Sequence, residues 1–313
     1  RLGTIVVGWT QDHIPVMAKD LGAVGSMMAL LRDALKPNLV QTLEGQPAIV
    51  HMGPFGNIAH GCSSVLADML AINASDFVVT EAGFGADLGF QKFMDIKVRQ
   101  GGPKPAAAVV VVTVKGLKWH GGVDLKEVNT TNLDAVKLGS INLKNALRIV
   151  GLYGLPSIVA INRFPEDSPE EIRLIQKLAI EYGASGVEEA KGFTDGGNGM
   201  VGLAKAIKST TKKASNINLL YKDDDSLFEK IERMAIKLYG ASKVNWGPMT
   251  RTTARRFSDQ GWDFPICMAK THLSVSADPK LRGAPTGHIL PIRELRVLAG
   301  AKQIVALAGN IIT

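Results

Sequence analysis

The sequence predicts an α/β protein built on a parallel sheet with helices on both faces. Three observations carry that reading. Strand-like and helix-like segments alternate through most of the 313 residues, the pattern of βαβ units. The run Ala107–Val114 holds four consecutive valines and shows no alternation, as expected of a strand buried on both faces in a central parallel position. Several glycine-rich loops follow directly on strand-like runs, where open parallel sheets bind their ligands.

Taken in order, Thr4–Trp9 reads as a strand. Lys19–Leu35 reads as a helix, with Leu21, Val24, Met27, Met28 and Leu31 at helical spacing and Pro37 as its stop. Ala48–His51 is a short strand leading to the turn-rich Met52–Asn57, a helix from His60 to Asn73 and a strand at Phe77–Thr80. A helical pattern follows through Phe90, Phe93, Met94 and Ile96. Lys115–Thr131, with Gly121-Gly122, reads as a long loop, Leu133–Val150 as a helix and Ser157–Ile161 as a buried strand. Ser168-Pro169-Glu170-Glu171 opens the next helix. Gly192–Gly199 is a glycine loop and Val201–Thr210 a helix. The polar Lys212–Asp225 reads as a surface connection. Leu227–Tyr239 is amphipathic, with Leu227, Ile231, Met234, Ala235 and Leu238 on one face; short strands at Pro265–Ala269, His288–Ile292 and Gln303–Leu307 complete the chain.

Composition narrows the function. An apolar content of 46% suffices for a sizeable core. The 36 Lys plus Arg against 29 Asp plus Glu give a net charge of +7, scattered without a block of five; this argues against a nucleic-acid surface and is compatible with an anionic small molecule. Cys62 and Cys267 form no CxxC spacing, and a reducing compartment is the simplest inference. The apolar run Ala106–Val112 is too short to span a bilayer. No Met opens the chain and an apolar strand nearly closes it, so the sequence reads as the interior of a larger protein.

The chemistry concentrates in four loops, Met52–Gly61, Glu81–Gly89, Asn162–Pro165 and Thr271-His272. If the strands before them are parallel neighbours, all four gather on one sheet edge as a shared cleft. Thr80–Gly89 is the most unusual: three glycines, Glu81, Asp87 and Phe84 between a strand and a helix. It reads either as a ligand loop or as a turn with Asp87 as helix cap. Asn57 and His60 can hydrogen-bond a polar ligand, Glu81 and Asp87 can hold a cation or a protonated nitrogen, and Lys270 can meet a phosphate or carboxylate. Phe84, Phe164 and Phe193 offer flat faces to a heteroaromatic ring. His60 has the alternative role of a helix cap, and Phe164 that of a staple for the helix after Pro165. The histidines lack zinc-ligand spacing, so no metal site is assigned. Ser63-Ser64 lies in no GxSxG elbow, and no G-x-x-x-x-G-K-[ST] phosphate loop occurs.

Lys36–Glu44 (KPNLVQTLE), Gly53–Gly61 (GPFGNIAHG), Thr80–Gly89 (TEAGFGADLG), Leu117–Gly122 (LKWHGG), Ala160–Phe164 (AINRF) and Met268–His272 (MAKTH) together closely resemble the formate–tetrahydrofolate ligase family, in the same order and over essentially the whole chain. The resemblance implies a P-loop-NTPase-like parallel sheet, partial here, plus two smaller α/β domains. It divides the chain into 1–147, the remainder of a nucleotide-binding domain, 148–240, a folate-side domain, and 241–313, a third and incomplete domain. It implies ATP-dependent ligation of formate to tetrahydrofolate through formyl phosphate, with Mg2+ and a monovalent cation (K+ or NH4+) in support. Phe164 and Phe193 fall where the family stacks on the pterin, and Phe84, Gly89 and Pro165 where it meets the nucleotide. Asn57, His60, Glu81, Asp87 and Lys270 match motifs without an assigned step. The phosphate loop, the catalytic basic residues and a closing Pro-Gly-Leu-Pro segment are expected outside Arg1–Thr313. The resemblance also implies small-molecule substrates, no nucleic-acid or membrane partner, a homodimer or homotetramer, and a cytoplasmic location, with the mitochondrial matrix as the other compartment. Phe193 stands for the usual Trp, Gly56 for Ala and Trp119 for Met. The competing reading is a catalytically inactive truncated homologue that binds folate or pairs with an intact subunit.

Overall fold

The computed structural model describes residues 1–213 and 215–311. Two antiparallel ribbons come first. β1 (Val6–Trp9) pairs with β2 (Pro15–Met17); after α1 (Val24–Leu31), β3 (Asn38–Gln41) pairs with β4 (Pro47–Val50). The helix expected from Lys19 begins only at Val24, because Gly22 sits at φ +65°, a left-handed conformation that a helix does not admit. α2 (Val65–Ala74) begins after Ser64, whose hydroxyl accepts the Ala67 N–H at 2.9 Å. That cap displaces the expected start at His60. Phe77–Thr80 forms no strand: no neighbouring strand offers it a ladder, and Val79 stays exposed.

The chain then turns inward. Two π-helical turns, Ala86–Phe90 and Phe93–Val98, carry every residue from Leu88 to Val98 except Phe90 into the interior. Three charged groups ride on this segment, Lys92, Asp95 and Lys97, and each finds a partner elsewhere. Lys92 donates to the carbonyls of Gly56 (2.5 Å) and Asn57 (3.1 Å), and Lys97 pairs with Asp68 of α2 at 2.6 Å. Asp95 accepts from Tyr153 Oη (2.7 Å), Gln91 Nε2 (3.1 Å), the Leu220 N–H (3.0 Å) and Arg99 Nη2 (3.3 Å). Arg99 also reaches the Tyr221 carbonyl at 2.6 Å.

β5 (Ala108–Val112), β6 (Ser157–Asn162) and β7 (Gly186–Ala190) form a parallel sheet in that order. Between them run α3 (Val114–His120), α4 (Leu133–Leu152) and α5 (Pro169–Glu181); α6 (Gly192–Asp195) and α7 (Val201–Thr210) follow. β6 is buried on both faces: Val159 and Ile161 pack with α4 and α5, Ile158 and Ala160 with α7. The valine run is different from expectation. β5 is an edge strand with Val111 66% exposed, because among the described residues only β6 flanks it. The expected loop Lys115–Thr131 starts as α3, capped by Thr113. Ser168 and Glu171 form the full capping box read from the sequence.

α8 (Leu227–Arg233) and a third π-helical turn, Met234–Leu238, place Leu227, Ile231, Met234, Ala235 and Leu238 in the core, as the amphipathic pattern predicts. β8 (Lys243–Trp246), α9 (Thr250–Asp259), β9 (Ile266–Ala269), β10 (Ile289–Leu298) and β11 (Gln303–Ala308) complete the chain, the strands ordered β8-β10-β11-β9. β8 and α9 were not legible in the sequence. Lys212–Asp225, of which Ala214 lies outside the described residues, is more than a surface connection: Tyr221 is buried and its hydroxyl accepts the Ile266 N–H at 3.0 Å. Residues 312 and 313 of the expected third domain also lie outside the description. The expected boundary at 147/148 falls inside α4, and the largest core draws on all three expected spans, from Cys62 to Ala308.

Asp95→Ala should cost roughly 3–5 kcal/mol, because it strands Tyr153, Gln91 and the Leu220 N–H without an acceptor. Urea unfolding monitored by circular dichroism checks this; a loss below about 1 kcal/mol would contradict the central role of the carboxylate.

Candidate functional site

Thr80–Gly89 folds back on itself. A Cβ at Gly89 would overlap the Gly83 carbonyl oxygen, so only glycine permits this buried return. The fold-back drives Phe84 to φ +62°, a rare conformation for a bulky aromatic residue and one that clusters at ligand sites. The Phe84 ring is half exposed and stacks on His272, with centroids 5.3 Å apart and planes inclined by 23°. A Cβ at Gly56 would lie 3.0 Å from that ring, which gives a packing reason for glycine at this position. Glu81 accepts the Ser63 N–H at 2.9 Å and ties the loop to the start of α2.

Asp87 pairs with Lys270 at 2.6 Å. Lys270 is fully buried and also donates to the carbonyls of Thr271 (3.1 Å) and Ser274 (2.5 Å). Its three protons are thus committed within the chain, and the carboxylate it meets is Asp87. Asp87 of this pair lines a polar pocket of about 90 Å3, together with His120, Asn142, Asn145 and His272. His120 Nδ1 accepts the Gly283 N–H at 3.1 Å, which leaves its Nε2 as the remaining donor. Burial, followed by the charge of Arg282, lowers the His120 pKa. Asn57 is buried with its carbonyl held by Lys92 and its side-chain oxygen lacking a partner. His60 accepts the Cys62 N–H on Nδ1 at 3.2 Å, and its pKa is lowered by burial first and then by Lys97 and Lys92. Burial pushes the Cys62 thiol up to about 11, outside the range of a reactive cysteine.

A second group sits at the carboxyl ends of β5, β6 and β7. Phe164 follows β6 and donates its N–H to Asp167 at 2.8 Å; Lys115, two residues into α3, stands 5.0 Å over the Phe164 ring and 3.3 Å from Glu166. Pro165 is exposed beside it. Arg163 pairs with Glu189 of β7 at 2.6 Å. Phe193 lies on α6, 81% exposed and unclaimed by the core.

The four loops therefore do not share one sheet edge. β4 belongs to an antiparallel ribbon, Phe77–Thr80 is no strand and β9 lies in the other sheet. Met52–Gly61, Glu81–Gly89 and Thr271-His272 still converge, through side-chain and backbone contacts such as the Gly83 N–H to Gly61 C=O bond at 3.3 Å. Asn162–Pro165 belongs to the second group. α3 joins the two, with Lys115 at one end and His120 at the other, roughly 8 Å apart along the axis at 1.5 Å per residue. Lys115 was findable from its position immediately after β5; His120, Asn142 and Asn145 meet only through the packing of α3 and α4. A larger cleft of about 650 Å3, along Ser276–Leu281 with His288, Arg293 and Asn310, holds none of the expected residues.

Among the described residues no group of three or more His, Cys, Asp or Glu converges as a metal site, and no helix is long and apolar enough to cross a membrane. Aromatic residues displayed at the carboxyl ends of parallel strands, beside a small polar pocket, define an α/β ligand-binding architecture. The family model for formate–tetrahydrofolate ligase matches residues 1–313, and the chain belongs to that family. Proteins named formate–tetrahydrofolate ligase from Roseiflexus sp. (strain RS-1), Desulforamulus reducens and Rhizobium meliloti are 50%, 46% and 48% identical to it. These alignments cover 100%, 99% and 100% of this chain but 57%, 56% and 56% of the relatives. The chain thus spans a little over half the length of the relatives it matches.

The lowered histidines give a signed pH dependence. Below the ordinary value of 6.5 the unfolded chain takes up protons that folded His60 and His120 resist. Stability is therefore fully present above that value and falls as pH drops from it toward the folded pKa values. The urea midpoint should decrease between about pH 7 and pH 5.5, and His60→Gln should make that decrease shallower.

Proposed function

We propose that the protein containing this chain ligates formate to tetrahydrofolate at the expense of ATP. A formate oxygen attacks the γ-phosphorus, the bond to ADP breaks and formyl phosphate forms. The N10 amine then attacks the formyl carbon, the C–O bond to phosphate breaks and the amine proton is released, giving 10-formyltetrahydrofolate, ADP and phosphate. The observation that carries this reading, beside family membership, is the aromatic pair of part-buried Phe164 and exposed Phe193, which follow adjacent parallel strands. Such faces suit a flat pterin, and Lys115 over Phe164 adds a cation at its rim.

In this reading Phe84, Gly89 and Pro165 lie on the nucleotide side. Phe84 and His272 form a stacked surface, while Gly89 permits the return that holds Phe84 in its strained conformation. Asn57, His60, Glu81, Asp87 and Lys270 build and fasten the loops. Glu81, Asp87 and Lys270 hold no phosphate in this reading, because their charged groups are spent on the chain. Mg2+ enters as MgATP. Asp87 is paired with Lys270 and Glu81 with the Ser63 N–H, so these carboxylates do not fit a protein-held ion. The phosphates need a cradle of backbone N–H groups and cations, and the sequence contains no G-x-x-x-x-G-K-[ST] motif. Assembly as a homodimer or homotetramer in the cytoplasm belongs to the same proposal.

The decisive assay is ADP release that requires both formate and tetrahydrofolate, measured on this chain and on a chain extended to the length of its relatives. Activity of the extended chain alone is the expected outcome. Tetrahydrofolate binding without ADP release from either would favour the inactive folate-binding or subunit-interaction module. Phe164→Ala should weaken tetrahydrofolate binding by about fivefold or more, given about 1–3 kcal/mol for a stacked ring; unchanged affinity in a titration would refute the stacking role.

A further inference from the structure

The ribbon β3–β4 has no evident place in the core. All four residues of β3 are exposed, and Leu43 at the tip is completely so. Yet the tip is firmly made. The Thr42 N–H meets the Gln46 carbonyl at 2.9 Å, the Gln46 N–H meets Thr42 Oγ1 at 3.0 Å, and Gly45 takes the left-handed position at φ +80°. The base is equally fixed. His51 donates from Nε2 to the Ala34 carbonyl at 2.9 Å, which leaves Nδ1 to accept the Ser64 hydroxyl at 2.6 Å.

What the ribbon delivers is Glu44. Its Oε1 accepts the Gly197 N–H at 2.9 Å, across 153 residues of sequence. The receiving loop suits this approach: Gly196 sits at φ +56°, and a Cβ at Gly196 or Gly197 would come within 3.0 or 3.2 Å of the carboxylate. The same loop begins with α6, which carries Phe193, and closes through the Lys191 N–H to Gly199 carbonyl bond at 3.1 Å. At its other end β4 leads through His51 into Met52–Gly61, whose Gly56 borders the Phe84 ring.

We propose that Glu44 is a positioning residue that latches the Gly192–Gly199 loop, so that Phe193 is presented for stacking. The ribbon physically spans the Phe84 group and the Phe193 group. This rests on the folate reading of Phe193 for its consequence, while the latch itself stands on the hydrogen bond and the two glycines. A carboxylate accepting a backbone N–H is a charge-assisted bond, and the amide oxygen of Gln can replace it in the same geometry.

The test uses the chain extended to the length of its relatives and three variants of it, Glu44→Ala, Glu44→Gln and Phe193→Ala, together with the double variant Glu44→Ala/Phe193→Ala. Hydrogen exchange of a peptide covering 192–200 should accelerate several-fold in Glu44→Ala and return close to the parent rate in Glu44→Gln, with the core segment 88–98 unaffected. Tetrahydrofolate titration should show roughly fivefold weaker binding for Glu44→Ala, within the range of a solvent-accessible hydrogen bond, and near-parent binding for Glu44→Gln. In the Phe193→Ala background, Glu44→Ala should add nothing, since the carboxylate acts through that ring. Unchanged exchange at 192–200 in Glu44→Ala overturns the latch. Altered exchange with folate affinity unchanged keeps the latch and overturns its role in presenting Phe193. Altered exchange in a chain that binds no tetrahydrofolate at all supports the latch and refutes the folate reading instead.

Discussion

The fold turns on a charged segment buried where an apolar helix would be simpler. Leu88–Val98 runs through the interior as π-helical turns and brings Lys92, Asp95 and Lys97 with it. Desolvating such groups is expensive unless each is met by a partner, and the partners come from everywhere: the loop at Gly56-Asn57, α2 through Asp68, α4 through Tyr153, and Leu220. The cost of leaving any of them unmet is what registers these distant pieces against one another. Burial raises the Asp95 pKa, while bonds from Tyr153, Gln91 and Leu220 and the charge of Arg99 oppose it. The carboxylate is thus the point at which the network is most exposed to substitution.

The site inherits its geometry from that segment. Asp87 immediately precedes the buried run and is fastened to Lys270, the residue after β9, so the glycine loop that carries Phe84 is held in place. Gly89 lets the loop close, and the closure holds Phe84 at a positive φ against His272. Lys92, from the same segment, fixes the loop that brings Gly56 under the Phe84 ring. Polar residues that look like ligand-binding groups in isolation are mostly fasteners here. The groups left uncommitted are aromatic rings and the small polar pocket beside α3 and α4.

Much of the fold was legible because some segments satisfy their requirements locally. The capping box at Ser168–Glu171, the apolar stripe Leu227–Leu238 and the uninterrupted apolar β6 each state their structure within a dozen residues. The misses are segments whose structure depends on a neighbour. Phe77–Val79 has the residues of a strand but no strand beside it. Asn38–Gln41 looks nondescript and becomes a strand because Pro47–Val50 folds back on it. The valines of β5 read as central but lie at an edge, since side-chain pattern reports apolarity and not how many strands flank it.

The sequence by itself determined the α/β class, the parallel unit around β6 and the family, because periodicity, capping chemistry and motif order are written in consecutive residues. Only the tertiary structure decided that Phe84, Phe164 and Phe193 form two groups bridged by α3, that Lys270 is spent on Asp87, and that Glu44 reaches Gly197. Those outcomes rest on the pairing of buried charges and on close backbone approach between residues far apart in the chain. Neither leaves a local trace in the sequence.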